Sequence, residues 1–152
     1  MTQRTSQLLN RLSESATIAM ARKATELKKS GVDVISLSLG EPDFDTPEVL
    51  KAAGIKAIEE NITHYTPVPG ILAVREAISQ KFKRDNGLNY APDQIVVSNG
   101  AKQSITNVVL SLVDPGEEVI LPAPYWVSYA DMVALAGGTS KVLATSIEHD
   151  FK

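Results

Sequence analysis

The sequence predicts an α/β fold in which a mainly parallel sheet is covered by helices. Three short apolar segments, 95–97, 119–121 and 141–144, are typical of buried strands. Two segments of helical composition, 102–113 and 126–136, lie between them, and the links are short. Because parallel strands need a crossover connection, this alternation of strand and helix favours a parallel sheet.

Two helices and an extended segment are predicted before residue 61. Segment 13–30 is rich in Ala, Leu, Lys and Glu and is followed by Gly31, which indicates a helix with a C-terminal stop. Apolar and polar residues alternate over 32–39, which indicates a short extended segment. The second helix is expected to begin with Thr46 as N-cap and Pro47 at the first helical position.

A third helix is predicted after the Pro-Val-Pro-Gly turn at 67–70. Apolar side chains at 71, 74, 78 and 82 share one helical face, and Gly87 supplies the stop. A further turn is expected at 114–116, where the sequence reads Asp-Pro-Gly.

Composition excludes several classes of function. The formal net charge is -3, and the basic residues are mixed with acidic ones, so we expect no nucleic-acid partner. We expect no membrane span, because no apolar run approaches the roughly 18 residues that a membrane helix needs. The chain has no cysteine, and His64 and His149 are isolated, so no metal site is expected. A cytoplasmic protein is the default expectation.

The segment 97–104, Val-Ser-Asn-Gly-Ala-Lys-Gln-Ser, has the pattern of a phosphate site. A predicted strand runs through small residues directly into a predicted helix. Small residues let the backbone approach an anion, and the helix N-terminus favours negative charge. An ordinary strand-to-helix turn also uses Gly and Asn, so this segment alone leaves both interpretations open.

The one tryptophan of the chain, Trp126, follows the predicted strand 119–121 by a few residues. Ligands of α/β folds bind at the carboxyl ends of strands, and an aromatic ring there can stack on a planar cofactor. The alternative is a core tryptophan. Pro122 and Pro124 suggest a rigid turn, whose cis or trans state the sequence leaves open.

Four sequence motifs resemble those of a known family. They are 36–44 (SLSLGEPDF), 64–67 (HYTP) with Gly70, 98–103 (SNGAKQ) and 122–126 (PAPYW). In order and spacing they resemble the fold-type I aminotransferases, which depend on pyridoxal 5'-phosphate (PLP), and most of all the bacterial aspartate aminotransferase branch. The resemblance implies the N-terminal part of that fold, with 1–45 as an arm and helix of the small domain and 46–152 as the first part of the large PLP-binding domain.

The resemblance implies a role in coenzyme binding for five residues. Gly100, Ala101 and Lys102 match the turn whose backbone holds the PLP phosphate. Trp126 matches the aromatic residue that stacks on the pyridine ring and faces the substrate. Tyr65 matches a tyrosine that reaches the PLP phosphate of the neighbouring subunit, which implies a homodimer with shared active sites; without the family, Tyr65 would pass as an ordinary interface aromatic residue.

Besides Trp126, three further positions are implied in substrate binding. Gly40 matches the glycine whose backbone meets the α-carboxylate, although it also fits a turn before Pro42. Lys102 matches a lysine that recognises the distal carboxylate of a dicarboxylic substrate, the alternative being a solvated first-turn lysine. Thr17 matches a segment that closes over substrate, the alternative being a helix cap.

The implied activity is transfer of an amino group between aspartate or glutamate and a 2-oxo acid by a ping-pong mechanism. No catalytic residue is expected in this chain, because the family's Schiff-base lysine lies beyond position 152, and the chain alone is expected to be inactive. Three alternatives stay open. They are another fold-type I PLP enzyme (a lyase, a synthase, or an aromatic or alanine aminotransferase), a truncated non-catalytic module, and an α/β domain that binds another phosphate ligand.

Overall fold

The computed structural model of the chain describes residues 5–12 and 14–152. These residues form five α-helices and one two-stranded parallel sheet, which confirms the α/β class. They divide into two compact units, one made of residues up to Glu41 together with Ile105–Lys152, the other of Pro42–Ser104. The assignment of 1–45 and 46–152 to two domains of a longer enzyme stays a prediction.

The first unit begins with helix α1, Ala16–Lys29. The predicted first residue of this helix, Ser13, lies outside the described residues. Gly31 ends the helix as predicted, because its φ of +88° allows the Val32 N–H to reach back to the Leu27 carbonyl at 3.1 Å. The segment 32–39 that follows joins no sheet among the described residues.

The second unit contains α2 (Glu48–Glu59) and α3 (Leu72–Lys81). Helix α2 begins one residue later than predicted, since Pro47, not Thr46, is its N-cap. The extended ψ of 142° keeps Pro47 outside the helix, while its carbonyl accepts the Leu50 and Lys51 N–H groups at 2.9 and 3.1 Å. Helix α3 continues into a π-helical turn, Phe82–Asn86, that ends at Gly87.

Helix α4, Ala101–Leu112, begins at the end of the second unit and continues into the first. The predicted strand 95–97 directly before it is wrong, because this segment pairs with no strand among the described residues. Ile95 has an extended backbone and is buried, as the apolar pattern predicts. A strand also needs a hydrogen-bonded neighbour. The Val97 N–H instead donates to a loop carbonyl, that of Pro69, at 3.0 Å.

The sheet lies in the first unit and consists of β1 (Glu118–Ala123) and β2 (Thr139–Ala144). The strands are parallel, with Glu118 opposite Thr139 and Ala123 opposite Ala144. Both predicted strands are confirmed here with slightly longer bounds. The predicted turn at 114–116 is also present, since the Glu117 N–H donates to the Asp114 carbonyl at 3.1 Å.

Helix α5, Ser128–Ala136, connects the two strands and packs on both. Met132 and Val133 of this helix and Leu121 of β1 are buried and form the core of the first unit. The helix ends at Gly137, whose φ is +86°, and the Gly138 N–H returns to the Val133 carbonyl at 3.0 Å. The connection therefore brings the carboxyl ends of both strands to one edge.

Candidate functional site

The turn from Ser98 to Gly100 leads directly into α4 and has the geometry of an anion site. Gly100 has a φ of +85°, and its N–H donates to the Ser98 carbonyl at 2.9 Å. A side chain at this φ would be strained, which explains the glycine. Helix α4 then starts with the Ser104 N–H donating to the Gly100 carbonyl at 3.3 Å.

A residue of the first helical turn holds the preceding loop in place. The Gln103 side-chain oxygen accepts the Asn99 N–H at 2.5 Å. This contact resembles the half of a capping box in which a Gln at the third helical position reaches back to the chain before the helix. The sequence-based site did not assign this role to Gln103, although the spacing of a small polar residue and a Gln four positions later could have signalled it.

Gly100, Ala101 and Lys102, three of the predicted coenzyme ligands, are all exposed to solvent at this helix start. The first N–H groups of an α-helix have no intrahelical partners and carry the positive end of the helix dipole. The space around Gly100 is open, because a Cβ built there meets no atom within 4 Å. An anion can therefore approach the backbone of this turn from solvent.

An open cavity of about 620 Å³ borders the same turn within the second unit. Its walls are mainly apolar and include Ile78, Phe82, Tyr90 and Val97. Such walls offer no charge to an anion.

Tyr65 also lies in the second unit, in the loop between α2 and α3. Its side chain is fully exposed. Two residues later the Pro67–Gly70 turn is closed by the Gly70 N–H, which donates to the Pro67 carbonyl at 2.8 Å. The Tyr65 phenol is therefore exposed to solvent on a loop that continues into the Pro67–Gly70 turn.

Trp126 lies in the first unit, just past the carboxyl end of β1, as predicted. The peptide bond between Ala123 and Pro124 is cis, which answers the question that the sequence left open. The predicted helix start at Trp126 is wrong, because Val127 is the N-cap of α5 and the Tyr129 N–H donates to the Trp126 carbonyl at 3.0 Å. Trp126 therefore belongs to the turn that precedes the helix.

The indole of Trp126 is only partly covered. Its ring meets that of Tyr129 edge to face, with centroids 5.6 Å apart and planes at 87°. The side chain keeps 40% of its surface exposed, which distinguishes it from a core tryptophan. Close by, the Thr145 hydroxyl after β2 donates to the Ala123 carbonyl and ties the two strand ends together.

Gly40 and Thr17 complete the predicted set and lie in the first unit. Gly40 is exposed, and its neighbours Leu39 and Glu41 line a cavity of about 300 Å³ along α1. Thr17 is half-buried at the second position of α1, whose N-cap is Ser15, so Thr17 does not cap the helix. The predicted site residues thus fall into two groups, one in each unit.

Two negative findings hold for residues 5–12 and 14–152. No group of three or more His, Asp or Glu side chains is arranged to hold a metal ion. No helix in this part of the chain combines the length and apolar character needed to cross a membrane.

Comparisons with known proteins agree with the motifs. The model of the family described as "Aminotransferase class I and II" matches residues 32–152. A bifunctional aspartate aminotransferase and glutamate/aspartate-prephenate aminotransferase of Petunia hybrida is 54% identical over 143 residues, which are 94% of this chain and 30% of that protein. A probable aspartate/prephenate aminotransferase of Rhizobium leguminosarum bv. phaseoli is 54% identical over 144 residues, 95% of this chain and 36% of that protein.

A solved structure gives the same result for the fold. The aspartate aminotransferase of Thermus thermophilus with maleate superposes with a TM-score of 0.92 at 43% sequence identity, over 99% of this chain and 39% of that one. The fold is therefore that of the aspartate aminotransferases. The chain spans about a third of the length of the relatives that it matches, at 30% and 36%.

Proposed function

Since this chain belongs to the class I and II aminotransferases, we propose that the full-length protein transfers an amino group between aspartate or glutamate and a 2-oxo acid with PLP as coenzyme. The observation that carries the proposal is the Ser98–Gly100 turn at the start of α4, where an exposed helix N-terminus meets a motif of that family. The names of the relatives support the aspartate branch.

The residues of this turn fit a phosphate monoester. The backbone at Gly100, Ala101 and Lys102 lies at the positive end of α4, and no side chain at Gly100 blocks the approach of an anion. Lys102 adds a positive charge at the same point. When bound, PLP supplies the electron sink that allows the amino group to leave the substrate.

Trp126 has the exposure and the place that a ring-stacking residue needs. It lies past the carboxyl end of β1 and keeps 40% of its surface exposed, while Tyr129 supports it from the edge. An indole held in this way can cover one face of a planar ring and exclude water from it. We assign Trp126 to stacking on the pyridine ring and to contact with the substrate.

Substrate recognition is proposed for Gly40, Lys102 and Thr17. The backbone at Gly40 is open to an approaching α-carboxylate, since a Cβ built there meets no atom within 4 Å. The Lys102 ammonium would select a distal carboxylate by charge. Thr17, half-buried in the first turn of α1, belongs to the segment proposed to close over substrate.

The full-length protein is proposed to be a homodimer with shared active sites. Tyr65 supports this proposal, because a fully exposed tyrosine on a surface loop is suited to burial against a partner subunit. Its hydroxyl would donate to the PLP phosphate of the neighbouring subunit, so each site would need a residue from both chains.

An absorbance titration with PLP tests the proposed function. The full-length protein and this 152-residue chain are titrated separately, and the visible absorbance that PLP gains on binding is recorded before and after addition of aspartate. The proposal expects a band in the full-length protein that aspartate bleaches, and no such band in the chain alone. A band that alanine or phenylalanine bleaches better than aspartate would favour another aminotransferase specificity. No band in either protein would favour a non-catalytic module.

A further inference from the structure

The Pro67–Gly70 turn packs against Val97, which leads into the Ser98–Gly100 turn, here called the phosphate turn. The Pro69 carbonyl accepts the Val97 N–H at 3.0 Å. Gly70, at a φ of +96°, leaves no room for a side chain, since a Cβ there would lie 2.8 Å from Cγ2 and 2.9 Å from Cβ of Val97. Backbone and side chain of Val97 are therefore both in contact with this turn.

Arg75 contacts the same turn through its guanidinium. Its Nε donates to the Gly70 carbonyl at 3.1 Å, and its Nη1 donates to the Pro92 carbonyl at 2.7 Å. Both contacts are partly buried. A guanidinium presents several donors in a fixed planar arrangement, so one side chain can fix the relative position of two backbone segments.

These contacts connect two elements of the proposed site. Tyr65 precedes Pro67 by two residues, and Val97 directly precedes Ser98, the first residue of the phosphate turn. A shift of the Pro67–Gly70 turn would therefore displace the loop that carries Tyr65 and also disturb the support of the phosphate turn.

We propose that Arg75 is a positioning residue for coenzyme binding. Its guanidinium acts as a clamp: it binds the Gly70 carbonyl and the Pro92 carbonyl, and so holds the Pro67–Gly70 turn in contact with Val97. This inference rests on the proposed function and adds a residue that contacts neither phosphate nor ring. Because Tyr65 is proposed to serve the neighbouring subunit, the clamp links the phosphate turn of one site to the tyrosine of the other.

The first test measures the dissociation constant of PLP in the full-length protein. Arg75→Ala is expected to weaken PLP by about tenfold, which corresponds to about 1.4 kcal/mol. Arg75→Lys should recover part of the loss, because an ammonium can reach one of the two carbonyls but lacks the fork. Arg84→Ala is the matched control, since Arg84 pairs with Asp85 at 2.6 Å with 71% of its side chain exposed, and it should leave the PLP affinity unchanged.

A double-mutant cycle with Tyr65→Phe separates positioning from general destabilisation. If Arg75 acts through the loop of Tyr65, the double variant should bind PLP within about twofold of the weaker single variant, since coupled residues do not add. Additive losses would overturn the link between Arg75 and the Tyr65 loop. An unchanged PLP affinity in Arg75→Ala would overturn the proposal itself.

Hydrogen exchange of the coenzyme-free protein tests the clamp without PLP. Arg75→Ala should accelerate exchange of the Gly70 and Val97 amides and leave the amides of α2, in the same unit, unchanged. Equal acceleration in α2 would show a loss of overall stability and would overturn the positioning role. If the wild-type protein binds no PLP, the proposed function fails, whereas the exchange data still decide whether the clamp exists.

Discussion

Gly70→Ala is the perturbation whose cost can be estimated most directly from contacts in the structure. The added methyl group would lie at 2.8 Å from Val97 Cγ2 and at 2.9 Å from Val97 Cβ, at a backbone φ of +96°. Relief by rotation is limited, because one of the two opposing atoms is the Cβ of Val97, which moves only with its backbone. That backbone is in turn bonded to the Pro69 carbonyl.

The expected loss in free energy combines three contributions. A non-glycine residue in a left-handed conformation costs about 1–2 kcal/mol, and overpacking of a filled contact costs about 1–3 kcal/mol. The reduced entropy of the unfolded chain returns about 0.4–1 kcal/mol. The net destabilisation of the turn is then about 3 kcal/mol, or roughly two orders of magnitude in the equilibrium for local opening.

The assay is hydrogen exchange of the Val97 amide in the full-length protein, since this N–H donates across the contact. We expect exchange to accelerate about a hundredfold in Gly70→Ala. Gly54→Ala is the matched control, because a Cβ at Gly54 meets no atom within 4 Å and the residue lies inside α2. That change should stabilise α2 by about 0.5–1 kcal/mol. Unchanged Val97 exchange in Gly70→Ala, with the control behaving as expected, would refute the packing argument.

Three further predictions concern the site residues and the first unit. Trp126→Ala in the full-length protein should raise the dissociation constant of PLP about tenfold, because aromatic stacking contributes about 0.5–1.5 kcal/mol in addition to the burial of surface area. Trp126→Phe should have an intermediate effect. An unchanged absorbance titration with PLP would remove Trp126 from the site. Lys102→Ala should raise KM for aspartate up to about fivefold more than KM for alanine, since an exposed ion pair contributes up to about 1 kcal/mol. Equal increases in steady-state assays would refute the specificity role. Gly138→Ala should destabilise the first unit by about 1–3 kcal/mol, because its Cβ would lie 2.7 Å from Val113 Cγ1. A melting temperature equal to that of the wild-type protein would contradict this prediction.

Features that depend on a few consecutive residues could be predicted from the sequence. The sequence predicts that Gly31 and Gly87 stop helices, and both have a positive φ, +88° and +68°. The start of α4 after Gly100 was expected from small residues before a helical pattern, and it lies one residue from the expected position. Glycine conformation and helix capping are set by neighbours in the chain, which is why a pattern shows them.

The predicted strand at 95–97 is wrong because strand pairing depends on residues that are distant in the sequence. Its apolar residues predict burial, and Ile95 is buried, but an apolar run carries no information on whether a neighbouring strand is available. The predicted start of α5 is wrong for a related reason. The pattern includes Trp126 in the helix, whereas α5 begins only at Ser128, with Val127 as its N-cap.

The contacts of Arg75 show a further limit of pattern-based prediction. Both acceptors, the carbonyls of Gly70 and Pro92, are backbone groups, and every residue has such a group, so neither acceptor has a signature in the sequence. Arg75 itself looks like any polar residue on a helix. Its importance follows from the turn that it holds, which begins two residues after Tyr65 and packs on Val97 just before Ser98. Positioning residues of this kind are therefore revealed by the hydrogen bonds that lead outward from a site, and not by a pattern in the sequence.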